Sequence, residues 1–381
     1  MRKVGSRRFQ LNPGQFRSDR NYATGLQGAY VATDQNLWVY SLDNPFQLVK
    51  HVSLPLAEGV RGIDMSPSTH MLYISYGGAG GSTGNGSLLK YDLVKDAIVW
   101  TQNYNFGVDA FAITPDGSTI YLPDGADSTD GVWNVINAST GAATGSAHTG
   151  MNGAHNTVMS LDGAYVFMGP INSSYLVKGI PSTNSVALNI GPLNDGVRPF
   201  TINGKHTLAF TTSDTASGIE FQVSDTSTGN VLYTVPVPGF SIPPGFSADT
   251  PVHGISLSPD ETELYLIDVA NSYVHVFSVT GLRKTAPALV ANIPLTTNFT
   301  GFESQCFQTE LCPREGWLRH TLDGQYVMVG DSWDVINTTT RQVVGTIPEL
   351  LNTRHGNIEI DWQNGVPVST STHFGLGYVT Q

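Results

Sequence analysis

Seven stretches of this chain are variants of one another, and that repetition limits the possible folds more than any single motif does. The segment VRGIDMSPSTHMLYISYG, beginning at Val60, returns as VDAFAITPDGSTIYLPDG from Val108, AHNTVMSLDGAYVFMG from Ala154 and VRPFTINGKHTLAFTTS from Val197. It returns again as VHGISLSPDETELYLID from Val252, REGWLRHTLDGQYVMVG from Arg314 and RHGNIEIDWQNGVPVST from Arg354. Each copy reads as an apolar strand, a tight turn carrying Pro-Asp-Gly, Leu-Asp-Gly or Asn-Gly, and a second strand of alternating apolar residues. Two further strands usually follow, as in GSLLKYDL then AIVWTQN, or YVHVFSV then ALVANIPL. Four antiparallel strands recurring every ~40 to 60 residues make a propeller blade.

The last copy has its first two strands but no outer pair before Gln381. The N-terminus supplies the complement, because NLWVYSLDNPFQLVKHVSLP from Asn36 is a hairpin with no inner strand of its own. The expected fold is therefore an all-β, seven-bladed propeller of four-stranded antiparallel blades, with the ring closed by C-terminal strands in the N-terminal blade. Closure removes the exposed sheet edges of an open array. AYVATDQ from Ala29 and GYVTQ from Gly377 compete for places in that blade, and the sequence does not rank them. Residues 1–25 read as an N-terminal arm and 26–381 as one domain. Composition agrees: 41 Gly and 21 Pro beside only 13% charged residues suit short strands joined by many turns. The formal charge of −12, with no Lys/Arg stripe to offset it, argues against nucleic acid and against anionic membrane surfaces as partners. No apolar run reaches the ~20 residues of a bilayer-spanning helix, so no membrane insertion is expected.

The units SPDETELYLID and TPDGSTIYLPDG resemble those of the YVTN and lactonase-like family of seven-bladed propellers, over nearly the whole chain from about Ala29. That resemblance implies the blade architecture and leaves the reaction open, since the superfamily includes lyases, lactonases, electron-transfer domains and binding proteins. The blade pattern, with repeats such as RHGNIEIDW, is also similar to that of the fungal propellers of tropolonic sesquiterpenoid pathways, which perform hetero-Diels–Alder couplings. No site residue is carried over from them.

The first strand of a propeller blade lines the channel. Aligning the seven copies where that strand begins puts Arg61, Asp109, His155, Arg198, His253, Glu315 and His355 at one equivalent position. All seven are polar or ionisable, and the next residue is usually small or kinking (Gly62, Ala110, Pro199, Gly254, Gly316, Gly356). These seven are the candidate catalytic residues; the blander alternative is a channel that is merely wet. Two long loops reach the same face, PGFSIPPGFSADTP from Pro238 and LTTNFTGFESQCFQTELCP from Leu295. Long loops of this kind are usually functional. Their Phe240, Phe246, Phe299, Phe302 and Phe307, with Trp317 further down its strand, are the candidate substrate-binding residues for an apolar or enone-containing small molecule. The competing reading is that these aromatics pack each loop onto the blades.

No cofactor is expected. The alternative is Zn²⁺ or Mn²⁺ held by His155, His253 and His355, as in a metal-dependent lyase or lactonase, although Arg61 and Arg198 would place positive charge beside the cation. There is no G-x-S-x-G elbow, and His320 reads as channel lining. Asp124, Asp127 and Asp130 miss the spacing of a Ca²⁺ loop. Three functions follow: a cofactor-independent enzyme of secondary metabolism, a metal-dependent lyase or lactonase, and a non-catalytic ligand- or glycan-binding propeller. Cys306 and Cys312, close together in a Pro-flanked loop, suit a local disulfide. With sequons at Asn85, Asn137, Asn172, Asn298 and Asn337 they point to a secreted or lumenal protein whose leader has been removed; the other reading is cytosolic.

Overall fold

The computed structural model describes residues 26–42, 46–78, 84–194, 196–212, 218–246, 251–299, 303–307, 310–352 and 357–371. Among them seven antiparallel sheets form a ring, six of four strands and one of five. Blade 2 shows the plan, with Val60–Ser66 innermost, then Met71–Gly77, Gly86–Asp92 and Ala97–Asn103. The third strand is buried along its whole length, whereas the outermost is almost wholly exposed. Apolar faces of neighbouring blades pack on each other: Tyr30, Val39, Ile358 and Ile360 of blade 1 meet Ile63, Leu72, Ile74 and Leu89 of blade 2. Each such side chain taken fully from water contributes about 1.5–3 kcal/mol before the entropy of ordering it is counted.

The turn between first and second strands explains the recurring Ser/Thr-x-Asp signature. The hydroxyl donates to the aspartate two residues on: Thr114 to Asp116 at 2.6 Å, Ser160 to Asp162 at 2.7 Å, Ser258 to Asp260 at 2.6 Å and Thr321 to Asp323 at 2.6 Å. The same carboxylate oxygen then accepts a backbone N–H two residues further, from Ser118, Ala164, Thr262 or Gln325. This local ring satisfies the turn without help from the next strand. The tyrosine of the second strand ties one blade to the next, with Tyr73 donating to the Ala138 carbonyl at 3.0 Å and Tyr121 to that of Pro181 at 3.1 Å.

Blade 1 closes the ring as expected, but with an order the repeat does not suggest: Val366–Thr370, Asn357–Gln363, Leu26–Thr33, Asn36–Ser41, Leu48–Ser53. The segment from Ala29 takes the second-strand place, and Val366–Thr370 is displaced to the inner side as a fifth strand. Asn364 and Gly365, both at positive φ, form the two-residue turn before it. The exchange has a physical reason. Ala29, Tyr30, Val31 and Ala32 bury completely between two strands, whereas Val366–Thr370 carries Pro367, which has no N–H for a second ladder and belongs on an edge. The Trp362 indole donates to Tyr30 Oη at 2.8 Å across the closure. Residues 377–381 lie outside the described residues. The long segment from Leu295, expected as a loop, contains a hairpin of Glu303–Phe307 and Glu310–Pro313.

Candidate site at the channel mouth

The inner strands start at one face, and five of the aligned residues meet at the channel mouth in two groups. On blades 3 and 4, His155 Nε2 lies 3.6 Å from Asp109 Oδ2. The His155 ring is oriented by its other nitrogen, 2.5 Å from the Asn156 side-chain oxygen. Asp109 is held by the Ala110 N–H at 2.8 Å. On blades 5, 6 and 7, the Arg198 guanidinium donates through Nε to His253 Nε2 at 2.7 Å and through Nη2 to Glu315 Oε1 at 2.9 Å. His253 Nε2 is also 3.4 Å from Glu315, but it cannot both accept from Arg198 and donate to the carboxylate. The guanidinium is always protonated, so Nε2 is the acceptor and the imidazole proton sits on Nδ1. Trp317 meets the His253 ring edge to face at 4.3 Å.

Local backbone geometry explains the small residues that follow this ring. A Cβ on Gly254 would lie 2.2 Å from the Gly316 carbonyl, and Gly316 itself has φ +71°, with Ile267 pressed against it. Gly254 is thus required by the close approach of the blade 7 backbone, and Gly316 by its left-handed conformation.

Arg61 is half-buried at the mouth. His355, Phe302 and the Phe307 side chain lie outside what is described. The remaining loop aromatics take the packing role. Phe240 meets the Tyr273 and His275 rings edge to face at 5.1 and 4.4 Å, Phe246 joins the apolar clusters of blades 5 to 7, and Phe299 is buried beside Arg314. Phe240 and Phe299 thus pack their loops onto the blades, the second of the two roles the sequence left open for them. Trp317 is half-buried.

Two residues the sequence did not single out support this site. Asp331 accepts the backbone N–H groups of Glu315 at 2.7 Å and Gly316 at 3.1 Å, fixing the carboxylate that holds Arg198. Arg314 is buried and donates to the Asn298 carbonyl at 3.1 Å and to Asn352, tying two loops together. Asp331 carries no pattern that a repeat alignment would expose, whereas Arg314 stands where five other copies begin with Val or Ala.

Further down the channel is a second polar layer. Asp64, Arg319 and Glu359 are buried there; Arg319 donates to Ser371, which also accepts the Glu359 N–H at 2.8 Å. Burial pushes the Asp64 carboxyl up to about 7, against two backbone hydrogen bonds and the Arg319 charge. Burial also raises Glu359. His320, bonded to Ser256 at 2.9 Å and set edge to face on Tyr265, is buried against blade 6, and that burial holds it down to about 3. Beyond this layer a cavity of about 330 Å³ opens at the far end of the strands of blades 2, 3 and 4, lined among others by Asp64, Ala112 and Thr157. It lies opposite the mouth, where the sequence had placed the pocket. Among the described residues no three of His, Cys, Asp and Glu come together as a metal site, and His155 and His253 belong to separate groups.

No family model and no curated protein matches the chain. Among solved structures it is similar to the Kuenenia stuttgartiensis hydrazine synthase, at 15% identity and a TM-score of 0.56 over 84% of this chain and 88% of that one. It is also similar to a functionally unknown protein from Desulfotomaculum acetoxidans DSM 771, at 14% identity and a TM-score of 0.53 over 70% of this chain and 81% of that one. At these identities the likeness shows the propeller fold and carries no activity with it.

Proposed function

We propose that this propeller is an enzyme acting on small molecules at the channel mouth, and that its reaction is a cofactor-independent hetero-Diels–Alder cycloaddition. The observation that carries the proposal is the largely buried Arg198–His253–Glu315 group, a cation whose orientation is set by two neighbours before any substrate arrives. Such a donor stabilises the negative charge that grows on an enone oxygen as the heterodiene is polarised, without reorganising. The reaction needs nothing more from the protein in kind: three π bonds become one π bond and two new σ bonds, C–C and C–O, and no atom, electron or proton is exchanged with the enzyme. What remains is orientation, worth about 7–11 kcal/mol in the best intramolecular cases. Trp317 offers an apolar face next to His253 for the alkene partner. A lyase or lactonase using Zn²⁺ or Mn²⁺ has less support, because Arg198 occupies the place between His253 and Glu315.

We infer in addition that Cys306 and Cys312 are bonded and that the chain takes the secretory route. Cys312 is opposite Ser304 in the mouth hairpin, and Asn85, Asn172 and Asn298 are exposed. Asn137 and Asn337 instead use their side-chain oxygens to accept turn N–H groups, at 2.9 and 2.8 Å.

The test is incubation of the purified protein with an enone heterodiene and an apolar alkene, followed by chiral chromatography. The expected result is adduct formed above the background rate with one enantiomer in excess, and a loss of about 10²-fold in Arg198→Lys. Racemic adduct at the background rate, or turnover that appears only on adding Mn²⁺ or Zn²⁺, would reject the reading.

A further inference from the structure

The cavity at the far end of the channel is separated from the mouth by the Asp64–Arg319–Glu359 layer, and nothing in the proposed reaction uses it. At about 330 Å³ it falls at the lower end of the range for small-molecule sites. Ala112, Pro115, Val158 and Leu161 give it an apolar wall. Its hydroxyl groups are largely committed: Ser66 and Ser68 bond each other at 2.9 Å, Thr370 donates to the Glu359 carbonyl at 2.9 Å, and Thr157 accepts the Trp133 indole N–H at 2.8 Å. Asp64 differs. Its oxygens accept one backbone N–H each, from Met65 at 2.8 Å and Ile113 at 3.1 Å. A carboxylate has about four acceptor positions, so capacity remains on a side chain anchored by two blades.

We propose that this cavity binds a compact apolar alcohol or phenol whose hydroxyl donates to the Asp64 carboxyl. A neutral hydroxyl suits the site better than an ammonium group, because a full charge would give up its hydration on entering an apolar enclosure while a hydroxyl needs only the one partner Asp64 offers. The apolar wall accounts for the remainder of such a molecule, and the single fixed acceptor sets its orientation. Because the site shares no residue with the mouth, it stands or falls apart from the cycloaddition.

The probe is 4-tert-butylphenol, titrated calorimetrically into the full chain, with tert-butylbenzene as its hydroxyl-free counterpart in competition. Saturable one-site binding is expected, with the phenol preferred by about tenfold, the size of one net hydrogen bond. Ala112→Leu fills the cavity, and Ser68→Trp covers its exposed rim without entering the core, so that at least one variant reports on a folded protein. Each folded variant should bind the phenol at least tenfold more weakly, while Arg198→Lys at the mouth should bind it as the wild type does. Binding that survives the far-end variants, binding lost in Arg198→Lys alone, absence of saturable binding, or equal affinity for phenol and hydrocarbon would each overturn the proposal.

Discussion

Asp64 makes stability depend on pH in the direction opposite to that of a paired surface carboxylate. In the native protein burial holds its carboxyl at about 7, whereas a free aspartate titrates at 3.8. Between these values the folded chain binds a proton that the unfolded chain releases, so stability is fully present below about 4 and is lost as pH rises through about 7. Each pH unit in that window is worth about 1.4 kcal/mol, so raising pH from 5 to 8 should remove about 3 kcal/mol through this one group. Other carboxyls titrate in the same range, and comparison with Asp64→Asn isolates the effect. The amide is uncharged throughout, and its mismatch with the Met65 or Ile113 N–H adds a cost that does not vary with pH. Urea unfolding at pH 5, 6, 7 and 8, followed by fluorescence of the six tryptophans, gives both curves. Wild type should lose about 3 kcal/mol more than Asp64→Asn across the series. Parallel curves would refute the claim that this carboxyl is forced towards its neutral form.

Two further expectations concern the turns and the mouth. Asp260→Ala removes the acceptor shared by the Ser258 hydroxyl and the Thr262 N–H and should cost about 1 kcal/mol in the same unfolding assay; no change would mean that these Asp turns are decoration. Cys306 and Cys312 should be bonded in non-reducing mass spectrometry, contributing about 2 kcal/mol for so short a loop in the chain-entropy model. Two alkylatable thiols would end that expectation.

What the sequence disclosed follows from what repetition can encode. The blade pattern was legible because the turn ring of Thr114 and Asp116, and its copies, is local and recurs in phase with the strands. The same phase brought Asp109, His155, Arg198, His253 and Glu315 to one face. The grouping of those residues was not legible, since it depends on which side chains are long enough to cross between blades. Arg198 spans to both His253 and Glu315, which makes one group of three where the alignment suggested an even ring. The place of Val366–Thr370 was hidden for a different reason: it matches a second strand in pattern, and it loses that place only because a better-buried strand from the other terminus competes for it. Phe240 and Phe299 show the limit of composition. An aromatic in a long loop satisfies the same pattern whether it faces a ligand or the blade beneath.

The Arg198–Glu315 pair separates stability from function most sharply. Both side chains are largely removed from water, with exposures of 15% and 10%, and a pair this buried loses much of its mutual attraction to the hydration it gives up. If the pair existed only to hold blades 5 and 7 together, an apolar pair of similar volume would be expected to do as well or better, as such replacements often do by about 1–4 kcal/mol. Removing one partner is a different perturbation, because it leaves the other charge buried and costs about 3–5 kcal/mol, which would lower activity for reasons unrelated to chemistry. The double variant Arg198→Met with Glu315→Leu avoids that confusion. It should melt near the wild-type temperature, because the lost Arg198 donor to buried His253 offsets part of the gain, and bind 4-tert-butylphenol at the far end unchanged, yet lose the rate enhancement and the enantiomeric excess of the cycloaddition. A double variant that keeps both would show that the charges at the mouth are part of the scaffold, and the reacting groups would then have to be sought among the other residues of the ring.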